Sequence, residues 1–236
     1  MTTVLITGAN RGIGLELCRQ YLEADWQVLA TCRDPDTADE LRVLGDAHPA
    51  LEVFALDVTD HAAVDALAAQ LEGRPIDVLI NNAGIVGPVP VPEHIGRQHF
   101  GTLDYELWGQ VIATNTFGPV KLSEALLPNV LAGEQKKIVT VSSTVGSIVE
   151  RDTPAMAYAT SKTAVNKAMT LLAGVLREQG IIVALMCPGY VKTRLDFGGA
   201  DVEIEDSARA LIGRIAGFTL ADSGTFTRYN GETIAW

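Results

Sequence analysis

Positive charge is scarce in this chain. Its 236 residues hold 18 Lys and Arg against 29 Asp and Glu, a net charge of −11. So acidic a surface argues against nonspecific binding to nucleic acid or to anionic membranes, which need a basic face, though a local basic pocket could still hold a phosphate. Cysteine is equally sparse. Cys18, Cys32 and Cys187 lie far apart and are odd in number, so neither a disulfide framework nor a metal site can be read from them. His48, His61, His94 and His99 show no ligand spacing either, and no metal is expected. The longest apolar run, residues 181–187, falls far short of the roughly 20 residues that span a bilayer. The chain starts Met-Thr-Thr-Val-Leu-Ile-Thr-Gly, with no basic n-region and no apolar h-region. No secretory signal is therefore expected, and the expected location is cytoplasmic.

What is present is a repeated alternation of short apolar runs and helical stretches. Residues 4–7, 27–31, 51–56, 78–81, 137–142 and 181–187 read as strands, and 225–229 as a last one. Several carry apolar residues at consecutive positions, the pattern of strands covered on both faces of a parallel sheet. Helical spacing appears over 12–23 and 62–71. Thr153-Pro154 reads as an N-cap and first-turn proline of a helix running to about Gln179, stopped by Gly180. The expectation is a single α/β domain over 1–236, a Rossmann-type doubly wound, mostly parallel sheet of about seven strands with helices on both faces. Two irregular segments, 85–102 and 192–206, follow strands at their carboxyl ends, where ligands bind in such sheets.

The first strand runs into Thr7-Gly8-Ala9-Asn10-Arg11-Gly12-Ile13-Gly14 and then a helix. Glycines permit a tight turn and close approach, and the helix N-terminus offers free N–H groups to a pyrophosphate. After the second strand, an acidic residue would suit the ribose 2′-hydroxyl of NAD. Here stand Cys32 and Arg33, with Arg11 in the turn itself. Two guanidiniums near one ribose favour a 2′-phosphate, hence NADP(H), a preference that Asp34 tempers.

Tyr158 and Lys162 are one helical turn apart and share a face. A phenol near its usual pKa of roughly 10 is a poor proton carrier at neutral pH, and a nearby ammonium lowers that value. Ser143 follows the fifth strand, where its hydroxyl can bond a carbonyl oxygen or alkoxide. Asn115 lies mid-helix before Gly118-Pro119, where a bend could free a backbone carbonyl.

Together these motifs resemble the short-chain dehydrogenase/reductase superfamily, over nearly the whole chain. Besides the glycine motif, Asp57-Val58 matches the pair that contacts adenine, and Asn81-Asn82-Ala83-Gly84 the motif ending the fourth strand. Pro188-Gly189-Tyr190-Val191-Lys192-Thr193 matches the segment beside the nicotinamide, and Asn115, Ser143, Tyr158 and Lys162 match the catalytic tetrad. Residues 31–34 and the ending Gly224-Thr225-Phe226 to Trp236 are similar to the C-factor and sniffer-like carbonyl reductases.

The resemblance implies NADP(H) held by Gly8, Asn10, Arg11, Gly12, Ile13, Gly14, Arg33, Asp57, Val58, Asn82, Ala83, Gly84, Tyr158, Lys162, Pro188, Gly189, Val191 and Thr193. It implies hydride transfer to a ketone or aldehyde, or the reverse from an alcohol. Ser143 steadies the oxygen, Tyr158 moves the proton, Lys162 binds ribose and tunes Tyr158, and Asn115 holds a proton-relay water. The interval from Ser143 to Tyr158 is longer than is common in the family, which leaves Ser142 and Ser147 as rival partners. Apolar Ile85, Val86, Val145, Ile148, Tyr190 and Phe197 are candidates for a hydrophobic substrate pocket. A homodimer or homotetramer, paired through helices near 103–131 and 154–179, is the analogy from the family. The rival function is a nucleotide-binding signalling protein of C-factor type with little turnover.

Overall fold

The computed structural model describes residues 1–150 and 153–236. Among these described residues seven strands form one sheet: β1 (Thr3–Thr7), β2 (Gln27–Cys32), β3 (Leu51–Ala55), β4 (Val78–Asn81), β5 (Lys137–Val141), β6 (Ile182–Cys187) and β7 (Phe226–Arg228). Their order is β3-β2-β1-β4-β5-β6-β7, and every neighbouring pair is parallel. The helices are α1 (Gly12–Glu23), α2 (Asp39–Ala47), α3 (His61–Gln70), α4 (Val91–His94), α5 (Tyr105–Ile112), α6 (Gly118–Ala125), α7 (Leu127–Ala132), α8 (Met156–Leu176) and α9 (Ile204–Gly217). Among the described residues no helix is long and apolar enough to cross a membrane.

The consecutive apolar positions are explained by two cores, one on each face. In β1, Val4 and Ile6 pack with Leu15 and Leu17 of α1 and Leu211 of α9, while Leu5 points the other way into Val64, Leu122 and Val165 of α3, α6 and α8. β6 repeats the alternation with Ala184 and Met186 against Val183 and Leu185. Truncating a fully buried leucine such as Leu5 to alanine would remove about 2–5 kcal/mol. β1 has β2 on one side and β4 on the other. The chain's winding reverses there, which opens a crevice at the strands' carboxyl ends.

Several boundaries differ from the sequence expectation. α8 starts at Met156 rather than around Thr153-Pro154. The Thr153 hydroxyl accepts from the Ala155 N–H at 3.2 Å and makes a local turn before the helix instead of capping it. At the far end α8 gives way to a short 3-10 turn, and Gly180 stops it in the left-handed region (φ +74°) as expected. The stretch near 103–131 is three helices, α5 to α7, with a π turn over Ala113–Phe117 between α5 and α6. The irregular segment 85–102 carries α4 and a 3-10 turn at Ile95–Gln98. α2, with only Leu41 and Leu44 buried, has too short an apolar stripe to stand out in the sequence.

Candidate active site

The glycine turn between β1 and α1 is shaped by contact. Gly8 adopts φ +67°, and a Cβ there would lie 2.8 Å from the Ala83 Cα. A Cβ on Gly14 would strike the Gly8 carbonyl and come within 2.6 Å of the Asn82 amide nitrogen. The Asn82 amide donates to the Thr7 and Gly8 carbonyls at 2.9 and 3.3 Å, and the Thr7 hydroxyl accepts from the Asn82 and Ala83 N–H groups. Asn82 and Ala83 thus brace the turn from β4, and Gly14 lets α1 start against β1.

Arg11 in the turn and Arg33 after β2 are exposed and near each other, and Arg194 joins them from the segment after β6. Partial burial, then Arg194 and then Arg33 lower the affinity of Arg11 for its proton. None of the three makes an ion pair among the described residues. Asp57 sits behind them. Burial pushes its carboxyl up, but hydrogen bonds from the Thr59 hydroxyl and N–H, with help from Arg33, outweigh that and hold it low. Val58 lies beneath, where Gly118 leaves it space; a Cβ on Gly118 would come within 3.0 Å of it.

The four candidate catalytic residues converge at the carboxyl ends of β4 and β5. Lys162 is 5% exposed, donates to the Val141 carbonyl at 2.9 Å and lies 5.8 Å from the centre of the Tyr158 ring. Burial lowers its pKa to about 8. Burial pushes the Tyr158 phenol up, the neighbouring Cys187 adds to this, and a hydrogen bond with Ser143 pulls it back down. Tyr158 keeps part of its surface open at the mouth, where solvent tempers the effect. In the protein alone burial dominates the Tyr158 phenol, and the hydrogen bond with Ser143 opposes it.

Ser143 is the serine hydrogen-bonded to Tyr158, and its Oγ also accepts from the Val145 N–H at 3.5 Å. The Ser142 hydroxyl is buried and donates to Asn166 Oδ1 at 2.6 Å, and Ser147 Oγ accepts from the Val149 and Glu150 N–H groups. Both are occupied in holding the loop. A Cβ on Gly146 would come within 2.9 Å of Lys162 and Asn166, so a glycine is needed where this loop lies on α8.

Asn115, in the π turn, is 1% exposed. Its Oδ1 accepts from the Ile85 N–H at 2.9 Å, and its Nδ2 donates to the Ile85 carbonyl and to Ser161 Oγ. Its side chain is therefore a brace for the backbone after Gly84. A Cβ on Gly84 would sit 3.3 Å from Asn115 Oδ1 and 3.6 Å from Lys162 Nζ, so that glycine keeps the two close.

After β6, Pro188 O accepts from the Ser207 hydroxyl, and Gly189 adopts φ +93° against Tyr229. Val191 bridges to Val202 through the Lys192 N–H and the Tyr190 carbonyl, so its own N–H faces away from that pairing. Thr193 lies over the glycine turn, 3.6 Å from where a Gly12 Cβ would stand. Phe197 hangs beside Tyr158, ring centres 6.3 Å apart. Ile148 is exposed, whereas Val86 is buried and leaves the proposed pocket wall. Glu150, near the mouth, takes Arg228 and the Ala235 N–H.

A family model described as short chain dehydrogenase matches residues 2–198. The chain belongs to this family. Among its relatives is the 1-hydroxy-2-glutathionyl-2-methyl-3-butene dehydrogenase of Rhodococcus sp. (strain AD45), 35% identical with all of both chains covered. The carbonyl reductase Sniffer of D. melanogaster is 30% identical and superposes at a TM-score of 0.90, again over all of both chains. An NADPH-bound carbonyl reductase from chicken fatty liver is 34% identical at a TM-score of 0.87, over all of this chain and 99% of that one.

This short chain dehydrogenase holds site residues that sequence reasoning missed. Arg194 follows the matched Pro188–Thr193 segment but carries no local pattern. Cys187, buried at the end of β6, lies beside Tyr158 and Lys162. Gln98 is 2% exposed, within a segment that reads only as loop.

Proposed function

We propose that this short chain dehydrogenase is an NADP(H)-dependent carbonyl reductase, with Tyr158 as proton donor and Ser143 as carbonyl-binding hydroxyl. The observation that carries this reading is the meeting of Tyr158, Ser143 and Lys162 at the crevice that also holds the glycine turn. The residues present fit NADP(H). Three guanidiniums without an ion pair among the described residues gather beside the turn in an otherwise acidic protein, and a phosphate is their natural partner. Arg11, Arg33 and Arg194 would hold the 2′-phosphate end, Gly8 to Gly14 the pyrophosphate, and Val191 and Thr193 the carboxamide.

When bound, NADPH supplies the hydride. The chain's own groups handle the oxygen and the proton. Ser143 donates to the carbonyl oxygen and strengthens that bond as charge develops. Tyr158, kept protonated by burial, delivers its proton to the oxygen, and Lys162 then stabilises the phenolate. A phenol held in its acid form is suited to reduction more than to oxidation. Phe197 gives the site an apolar wall beside Tyr158, which fits an apolar ketone or aldehyde. Exposed Phe117, Leu171 and Val175 on α8 and the π turn support pairing of two copies, which sedimentation would measure.

The test is NADPH consumption with a panel of apolar carbonyl compounds. The reverse direction is run with a glutathione-conjugated alcohol, the substrate type for which the Rhodococcus relative is named. Turnover abolished by Tyr158→Phe supports the reading. Tight NADPH binding without turnover on any substrate overturns it in favour of a binding-only signalling protein.

A further inference from the structure

Gln98 lies in the 3-10 turn at Ile95–Gln98, 60 residues before Tyr158 in sequence. Its side chain is buried, and both its amide oxygen and its amide nitrogen are bonded. Oε1 accepts from the Tyr158 N–H at 3.0 Å, and Nε2 donates to the Val86 carbonyl at 2.8 Å. The Tyr158 N–H belongs to the first turn of α8, where amides have no partner within the helix. Ala155, at the N-cap, has no side-chain acceptor to offer that turn. Gln98 supplies the missing acceptor from another part of the chain.

The bonds continue. The residue before Val86 is Ile85, whose N–H and carbonyl are both held by Asn115. Asn115 Nδ2 also donates to Ser161 Oγ at 2.9 Å, and the Ser161 hydroxyl donates to the Tyr158 carbonyl at 2.7 Å. The circuit closes on itself. From Tyr158 it passes through Gln98, Val86, Ile85, Asn115 and Ser161 and returns to Tyr158, gripping that residue by both its amide and its carbonyl. Of its side-chain members, Gln98 is the one on the 85–102 segment.

We infer that Gln98 is a positioning residue, which fixes the Tyr158 backbone, and so its phenol, by tying the first turn of α8 to the segment after β4. It touches neither substrate nor coenzyme. It acts through Tyr158, and the order of the mouth segment is thereby transmitted to the proton donor. An unpaired amide in a buried first turn is unfavourable enough for the turn to shift when the acceptor is lost.

This inference rests on the reductase reading, and Tyr158→Phe serves as the control that separates the two. The variants are Gln98→Met, which keeps length and removes both bonds, and Gln98→Glu, which keeps an acceptor for the Tyr158 N–H. The full chain is assayed for kcat, carbonyl KM and NADPH Kd, with hydrogen exchange at residues 155–162. For Gln98→Met the expected result is a kcat roughly tenfold lower and faster exchange at the Tyr158 amide. KM and Kd should stay within about twofold of wild type, since this is the mark of a group acting only on the proton donor. Gln98→Glu should recover part of the lost kcat. Unchanged kcat in Gln98→Met overturns the inference, as does a parallel loss of kcat and NADPH affinity or a Gln98→Glu no better than Gln98→Met. If Gln98→Met does not fold, Gln98→Glu alone decides: kcat above a tenth of wild type with unchanged Kd supports the role, and a lower kcat overturns it. If Tyr158→Phe itself retains turnover, it is the reductase reading that fails.

Discussion

The two ends of the crevice are built by opposite means. At the glycine turn, charges have no ion pair among the described residues: Arg194 and Arg33 repel Arg11 beside a backbone kept open by Gly8, Gly12 and Gly14. At the catalytic end, nearly every polar group is paired and buried. Asn115 makes three hydrogen bonds, Ser142 and Asn166 hold each other, and Lys162 is bonded to Val141. The first end is incomplete without an anion. The second is complete without substrate, and its precision comes from internal bonds. A substitution at the first end should therefore alter what is bound, and one at the second should alter what is done to it.

The largest expected effect breaks the comparison at its catalytic end. Tyr158→Phe keeps the ring and loses the hydroxyl. Turnover should fall by about 10²–10⁴-fold while NADPH affinity stays within a few fold. Steady-state rates with a fluorescence titration check this, and near-native rates refute the role of Tyr158. Gly14→Ala tests the other end. Its methyl group would meet the Gly8 carbonyl, a backbone atom that cannot swing aside. The expected loss is about 1–3 kcal/mol of stability, read from the denaturant midpoint, with a matching loss of NADPH affinity. An unaffected midpoint would show that the turn has slack.

Arg33→Ala sharpens the contrast between coenzymes. NADPH should bind roughly tenfold more weakly and NADH nearly unchanged, because only the former has a 2′-phosphate. Equal losses in parallel titrations would remove that assignment. The smallest effect concerns pH. Lys162 carries its charge below about 8 and loses it above. Carbonyl reduction should accordingly decline as pH rises through about 8, falling to roughly half there. A profile that stays level well beyond that point, or one that rises, would separate Lys162 from the proton step.

Much of the scaffold was legible because its causes are local. Consecutive apolar residues in β1 and β6 announce burial on both faces, and a glycine turn between strand and helix announces itself by spacing. Tyr158 and Lys162 share a helix face by arithmetic alone. The convergence of Asn115 with the backbone after Gly84 is a long-range event, yet Asn in a helix interior was already a visible anomaly. Gln98 offered no such anomaly. A glutamine among prolines and glycines is ordinary, and its significance comes from an amide 60 residues away. Arg194 was obscured for the same reason. The start of α8 was misplaced because Thr153 satisfies its hydroxyl in a turn, while the true partner of the helix's first turn sits on another segment.

The arginine cluster has a kinetic consequence. On a molecule of net charge −11, a highly charged anion is repelled from most directions and drawn toward one patch. Such guidance acts over distances set by the ions in solution, about 30 Å at 0.01 M and about 8 Å at 0.15 M salt. Raising the ionic strength should therefore slow coenzyme capture while leaving the proton transfer, shielded inside the fold, at its original pace.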